Sequence, residues 1–236
     1  MNDRTARIIL LLLTVAFAVS PILSNGFGGF YTESFPEQVD RWPAQTAGWA
    51  FYILGLIYLG LILAAAWALW RPETMPGWAR GAWPLGLSLF VGVFWIEAAL
   101  RSPPIATAMI LVMAAAAIMA MLRVGPGWRE LASLGLYTGW LTAASGVALS
   151  AVATGYGILS PRTAAIALII CVLIVAVWVA SARPRAWSYR AGVIWALFGV
   201  IVANAAASDW LIATICGAGI IMIAVFDRVI PASNGR

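Results

Sequence analysis

Few side chains in this chain of 236 residues have the type and setting to take part in chemistry. Glu97 lies inside an apolar stretch, and Arg101 follows it four residues later. A local ion pair at that helical spacing would explain the carboxylate without any function. A carboxylate that faces a cavity could instead orient a polar group of a ligand or move a proton. Both interpretations of Glu97 stay open.

Two residue types that hold many cofactors are missing from the sequence. It contains no histidine, and all fourteen basic residues are arginines. Without lysine no side chain can form a Schiff base with retinal, and without histidine haem, zinc and bacteriochlorophyll lack an imidazole ligand. Cys171 and Cys216 are expected to be apolar fillers within lipid-embedded helices rather than a disulfide or metal pair. We therefore expect no covalently attached cofactor.

Tryptophan is abundant, with thirteen residues in the chain. Trp95, Trp140 and Trp195 lie within apolar stretches, away from their ends, where a ring is not needed at the membrane surface. Close packing inside a helical bundle is one explanation, and a wall of flat rings around a cavity for a flat apolar ligand is the other. Further aromatic residues lie in or just after the longest connecting segment: Trp42, Trp49, Phe51 and Tyr58.

The chain that positions these residues has the composition of a membrane protein. Hydrophobic residues make up 63% of the chain, charged residues 10%, and the mean hydropathy is +0.95. These values lie far from the balance of soluble domains, which excludes a soluble globular fold. The arginines are scattered between apolar stretches, so no nucleic-acid partner is expected.

Eight apolar stretches have the length of a membrane span, and Glu97 is the one charged residue inside them. We predict an all-α integral membrane protein, a bundle of about eight transmembrane helices forming a single domain over residues 1–236. Within the fifth stretch, Gly135 and Gly139 have the four-residue spacing of a face that contacts another helix. The predicted spans are residues 8–24, 46–70, 82–100, 105–122, 131–153, 164–182, 191–207 and 210–226.

Arginine distribution predicts the orientation of the bundle. Eight spans place eleven of the fourteen arginines on one side and leave Arg41, Arg101 and Arg162 on the other. Because cytoplasmic segments attract the positive excess, both termini are predicted to be cytoplasmic, and residues 25–45 form an external loop.

Loops on the arginine-rich side repeat a combination of tryptophan and arginine, at Trp78, Trp128 and Trp187. Indole rings settle at the headgroup level and arginine pairs with anionic phosphate, so contact with membrane lipids explains this pattern. A face that docks a partner or binds an acidic ligand is the alternative.

Three stretches carry a family resemblance. They are residues 42–60 (WPAQTAGWAFYILGLIYLG), residues 136–144 (LYTGWLTAA) and residues 195–200 (WALFGV). The first resembles the opening of the second helix in bacterial tryptophan-rich sensory proteins, relatives of the translocator protein (TspO/MBR) family. Because compact members have five helices, the resemblance is to a longer, eight-helix bacterial branch.

The resemblance implies an aromatic pocket under the loop between the first two helices. Relatives are associated with porphyrins and other tetrapyrroles, with sterols in animals, and with stress- or light-dependent regulation of pigment genes. A porphyrin-degrading activity has been proposed in the family, but the sequence offers no catalytic constellation for it. The positions that match the family pattern as pocket residues are Trp42, Trp49, Phe51, Tyr58 and Trp140.

The residues and the resemblance together predict a non-enzymatic protein of the bacterial inner (cytoplasmic) membrane. It would bind or transport a flat hydrophobic small molecule, held without a covalent bond: a porphyrin, a chlorophyll-type pigment or a carotenoid. The predicted ligand-binding set adds Trp95, Glu97 and Trp195 to the family positions. The alternative is an accessory subunit that docks onto a photosynthetic or respiratory assembly. A homodimer and a larger membrane complex both remain open.

Overall fold

A computed structural model describes residues 3–24 and 28–229 of the chain, with side-chain burial described as far as Val225. Regular structure in these residues is helical throughout, and short 3-10 helices at Thr32–Ser34, Gly48–Tyr52, Pro72–Thr74 and Trp78–Gly81 join the longer ones. The predicted all-α class is confirmed. The α-helices are α1 (Asp3–Leu23), α2 (Ile53–Trp70), α3 (Ala82–Arg101), α4 (Pro103–Arg123), α5 (Trp128–Gly155), α6 (Pro161–Ala182), α7 (Trp187–Ala206) and α8 (Trp210–Val229).

Seven of these helices, α1 to α7, are long and apolar enough to cross a membrane. Helix α8 has 20 residues, and the part with described side chains forms a shorter apolar helix, Trp210–Val225. Residues 1–2, 25–27 and 230–236 lie outside the described residues. They include both termini and the first part of the predicted loop 25–45, so the cytoplasmic location of the termini stays a prediction.

Most helices begin before the predicted spans and one begins later. The apolar pattern identifies only the part of a helix inside the hydrocarbon, whereas helices α4 and α6 start with proline in the first turn, at Pro103 and Pro161. Helix α2 was predicted from residue 46, but it starts at Ile53. The backbone N–H of Ala47 donates to the carbonyl oxygen of Gly199 at 3.0 Å, which holds the approach to α2 against α7 in a non-α-helical form.

Helix α5 forms the centre of the bundle and packs against α2, α4, α6 and α7. It is the least apolar and most buried of the candidate spans, as expected for a helix shielded from lipid by its neighbours. A Cβ added at Gly139 would overlap the carbonyl oxygen of Tyr189 in α7, and one at Gly192 would lie 2.7 Å from the carbonyl oxygen of Leu136. Glycines thus let α5 and α7 approach closely, as the Gly135 and Gly139 spacing predicts.

Two arginines that are predicted to lie on the same side of the membrane donate to backbone carbonyls at the same end of the bundle. Arg7, buried near the start of α1, donates to the carbonyl oxygen of Ala68 near the end of α2. Arg183, just after α6, donates to the carbonyl oxygens of Leu122 and Val124 at the end of α4. Both side chains satisfy carbonyls that a helix leaves unpaired at its C-terminal end.

The tryptophans of the arginine-rich loops have two different environments. Trp128 and Trp187 are exposed, and the guanidinium of Arg129 lies 5.2 Å from the centre of the Trp128 ring. This placement suits the lipid headgroup region. Trp78 is instead buried in the core, because the 3-10 helix that starts with it packs against α4. The interfacial prediction is therefore wrong for Trp78.

Candidate functional site

The loop between α1 and α2 folds back onto the end of α5. The ring of Phe35 packs edge-on against Trp42, with ring centres 5.3 Å apart. The backbone N–H of Glu37 donates to the carbonyl oxygen of Gly155 at 2.9 Å. A Cβ at Gly155 would overlap the Phe35 ring, so the absence of a side chain there lets the loop settle on the helix end.

A polar cluster ties the same loop to α7 and α8. Asn204 is fully buried, and its Nδ2 donates to the carbonyl oxygen of Pro43 at 2.7 Å. Arg41 donates through Nη1 to Asn204 Oδ1 at 2.9 Å and through Nη2 to Asp209 Oδ2 at 3.2 Å. The other oxygen of Asp209 accepts from Arg162 Nη2 at 3.3 Å. The cluster fixes the loop over one end of the bundle.

Beneath this loop lies a cavity of about 330 Å³. All of α1 to α7 contribute to its walls, together with residues 29–30 and 44–46 of the loop. The volume is at the lower end of the range for small-molecule sites, and apolar side chains dominate the lining, as is typical of such sites. Eight aromatic residues line the cavity: Phe17, Phe30, Phe51, Tyr52, Tyr58, Trp95, Tyr137 and Trp140.

Hydrogen bonds to the protein fix two of these aromatic side chains. The indole N–H of Trp95 donates to the carbonyl oxygen of Ala106 at 2.8 Å. Ser88 Oγ donates to the carbonyl oxygen of Met113 at 2.8 Å and lies 2.7 Å from the Tyr137 hydroxyl. Since the serine proton is already used, Tyr137 is the donor to Ser88. Both rings are therefore held in place before any ligand arrives.

Edge-to-face contacts join several of the rings on the wall. The centre of the Phe17 ring lies 5.1 Å from that of Tyr58 and 5.7 Å from that of Tyr137. Phe51 meets Trp140 at 5.6 Å with an angle of 76° between the ring planes. Such pairs stabilise by about 0.5–1.5 kcal/mol beyond the apolar area that they bury, so the walls resist collapse into the cavity.

Of the eight predicted ligand-binding residues, the structure places four on the cavity wall: Phe51, Tyr58, Trp95 and Trp140. The other four, Trp42, Trp49, Glu97 and Trp195, do not line it. The structure therefore assembles an aromatic cavity from part of the predicted set and gives the remaining residues structural positions.

Three aromatic residues that lie outside the lining hold the loop and the turn before α2. Trp195 donates its indole N–H to the carbonyl oxygen of Ala50 at 2.9 Å, and its ring meets Trp49 edge-on at 5.3 Å. This pair secures the 3-10 helix Gly48–Tyr52 to α7. Trp42 packs in the loop with Phe35, as described above. Their predicted position on the cavity wall is corrected accordingly.

Glu97 also has a different position from the one that a ligand contact requires. Its Oε1 lies 2.5 Å from Arg101 Nη2, and half of its side chain is exposed. The ion-pair interpretation of Glu97 therefore describes the structure, and the carboxylate lies outside the cavity wall.

Sequence reasoning missed Phe17 and Tyr137 as wall residues. Tyr137 precedes Trp140 by three residues in α5, a spacing that shares a helix face, so a signal for it was available. Phe17 lies within residues 8–19 of α1, where Thr14 is the one polar residue, so the sequence around it does not mark which face is buried.

Within the described residues, the wall carries hydroxyl, amide and indole groups but no charged side chain. Nor do these residues contain a group of three or more histidines, cysteines or carboxylates that could hold a metal ion. Cys171 and Cys216 are both free thiols. Such a wall can enclose an apolar molecule and offer it a few hydrogen bonds.

Comparison with known families gives one match. The sequence model of a family described as TSPO-like protein matches residues 7–227. The matched range includes every residue of the cavity wall. No curated protein and no solved structure matches the chain.

Proposed function

The chain belongs to the TSPO-like protein family and is a multi-pass membrane protein, and from that premise we propose that it binds or transports a flat hydrophobic small molecule. A tetrapyrrole or a related pigment is the proposed ligand class. The observation that carries the proposal is the aromatic cavity of about 330 Å³ under the loop between α1 and α2. We place the protein in the bacterial inner membrane, with this loop on the external side.

The cavity wall supports a flat ligand because its rings are rigid and come from several helices. Trp95 and Tyr137 are fixed by hydrogen bonds to α4 and α3, and Phe51 and Trp140 support each other edge-on. Rings held in this way enclose a planar molecule without first having to be ordered, which reduces the entropic cost of binding. Removing apolar ligand surface from water contributes about 25 cal/mol per Å².

We propose binding without chemical change. The described wall offers no carboxylate, thiol or imidazole that would serve as a general base or nucleophile beside a bound ligand. Its tyrosine and threonine hydroxyls have no adjacent base to activate them.

A titration tests the proposal. Protein in lipid nanodiscs is titrated with protoporphyrin IX dimethyl ester, and the absorbance spectrum of the pigment is followed with empty nanodiscs as the reference. We expect saturable binding of one pigment per chain. Trp140→Leu should weaken this binding about tenfold, since it removes an aromatic contact and apolar area at the wall.

Trp178→Leu is the matched control, because Trp178 is exposed on the outer face of α6 and does not line the cavity. Its affinity should equal that of the unchanged protein. Pigment uptake identical to that of empty nanodiscs would contradict the proposal, as would equal losses in the two variants.

A further inference from the structure

The polar groups on the cavity wall divide into two kinds. Trp95 and Tyr137 donate their protons to protein oxygens. The hydroxyl of Tyr58 and the indole N–H of Trp140 have no hydrogen-bond partner among the described residues. Trp140 is only 5% exposed. Both side chains line the cavity, Trp140 almost fully and Tyr58 partly buried, so their unpaired donors can bind a polar atom of a ligand there.

The chemistry of these two donors specifies what the ligand offers. An indole N–H can donate a hydrogen bond but cannot accept one. A tyrosine hydroxyl can donate as well, and hydroxyls and indoles carry no charge at neutral pH. Both groups therefore fit an acceptor atom, such as a carbonyl oxygen. Close to the loop, Gln45 and Thr46 add an amide and a hydroxyl that also lack partners within the described residues.

The charges of the chain argue against an anionic ligand inside the cavity. No charged side chain lines it in the described residues, and residues 25–27 (NGF) of the loop are uncharged by sequence. Arg41 is the one basic residue between α1 and α2, and Asn204 and Asp209 already hold its guanidinium. A carboxylate that left water for this cavity would lose its hydration without gaining a cation.

Resting on the proposed function, we propose that the cavity selects an uncharged lipophilic ligand whose acceptor oxygen binds the Tyr58 hydroxyl and the Trp140 indole N–H. Ligands that carry a free carboxylate bind less tightly than their neutral counterparts. The discriminating groups are the two unpaired donors and the uncharged wall around them.

Three porphyrins with the same macrocycle distinguish the effect of ligand charge on affinity from the effect of an acceptor oxygen. Etioporphyrin has only alkyl substituents, protoporphyrin IX dimethyl ester has neutral ester carbonyls, and protoporphyrin IX has two carboxylates. Each is titrated into protein in nanodiscs, with empty nanodiscs as the reference. The ester should bind about three- to tenfold more tightly than etioporphyrin, which corresponds to one or two hydrogen bonds. The diacid should bind at least tenfold more weakly than the ester.

Variants then locate the contact, with the ratio of ester to etioporphyrin affinity as the readout. Tyr58→Phe and Trp140→Phe should each reduce this ratio, and the double variant should bring it close to one. Tyr189→Phe is the matched control and should keep the ratio, because the Tyr189 hydroxyl donates to Thr142 and does not line the cavity. Since both ligands are measured on the same variant, partial loss of folded protein does not change the ratio.

Two results would overturn the inference while leaving the proposed function in place. One is a diacid that binds as tightly as the ester, and the other is a ratio unchanged in the Tyr58→Phe and Trp140→Phe double variant. If none of the three porphyrins binds saturably, the proposed function itself fails.

Discussion

The indole N–H of Trp195 in α7 donates to the carbonyl oxygen of Ala50, 2.9 Å away, across 145 residues of sequence. This bond holds the 3-10 helix Gly48–Tyr52 against α7. Phe51 and Tyr52 of that turn line the cavity, so Trp195 acts on the site through the backbone that carries them. Trp195, which was expected to line the cavity, therefore stabilises the turn that carries two of the lining residues.

Trp195→Phe should lower stability without removing the cavity. The carbonyl oxygen of Ala50 keeps a bond from the N–H of Ile53, so only one of its two hydrogen bonds is lost. We expect a loss of about 1 kcal/mol in the free energy of unfolding, measured by thermal denaturation in detergent. Trp178→Phe on the lipid-facing surface is the control and should change stability less. Equal effects of the two substitutions would show that the bond to Ala50 contributes nothing.

Glu97→Gln should leave ligand affinity unchanged. The carboxylate pairs with Arg101 and lies outside the cavity wall. Exposed pairs of this kind stabilise by about 0.2–1 kcal/mol, so the change in melting temperature should also be small. The measurement is the porphyrin titration of the variant beside the unchanged protein. A clear loss of affinity would show that Glu97 contributes to ligand binding, and it would contradict the assignment of Glu97 to an ion pair outside the cavity.

Gly139→Ala should separate α5 from α7. The added Cβ would overlap the carbonyl oxygen of Tyr189, and backbone cannot yield as a flexible side chain does. We expect destabilisation of about 1–3 kcal/mol or more. Gly55→Ala in α2 is the matched control, because nothing lies within 4 Å of its Cβ, and it should be neutral or stabilising. Thermal denaturation of both variants compares them; a neutral Gly139→Ala would contradict the close approach.

Asn204→Leu should loosen the loop over the cavity. The substitution removes the donor to the carbonyl oxygen of Pro43 and the acceptor for Arg41. Leaving buried polar groups unpaired costs about 1–3 kcal/mol, so amide hydrogen exchange in residues 36–47 should become faster. Arg162→Gln removes only an exposed partner of Asp209 and serves as the control. Unchanged exchange in Asn204→Leu would show that the loop is held by its apolar contacts alone.

Apolar length predicted the helices well, because each span must bury its backbone in an unbroken helix. The start of α2 was not predictable in this way. Residues 46–52 are as apolar as a span, but the bond from Ala47 to Gly199 in α7 joins segments far apart in the sequence. Only the packed bundle shows that contact.

The sequence predicted an aromatic cavity but identified only some of the residues that line it. Trp95, Trp140 and Trp195 all lie within helices, yet a helix that is apolar all round gives no signal of its rotation. Trp95 and Trp140 turn to the cavity, whereas Trp195 meets Ala50 and Trp49. Tyr137 could have been inferred from its spacing to Trp140, but its bond to Ser88 in α3 could not.

The account depends most on the cavity under the loop being the place where the ligand binds. Ala144 of α5 lines this cavity, and Ala115 of α4 is exposed on the outer face of the bundle. The decisive measurement is porphyrin affinity of Ala144→Phe beside Ala115→Phe, each first shown to melt near the temperature of the unchanged protein. The account predicts at least a tenfold loss for Ala144→Phe, because the added ring occupies the ligand's volume, and no change for Ala115→Phe. Undiminished binding by Ala144→Phe would contradict it.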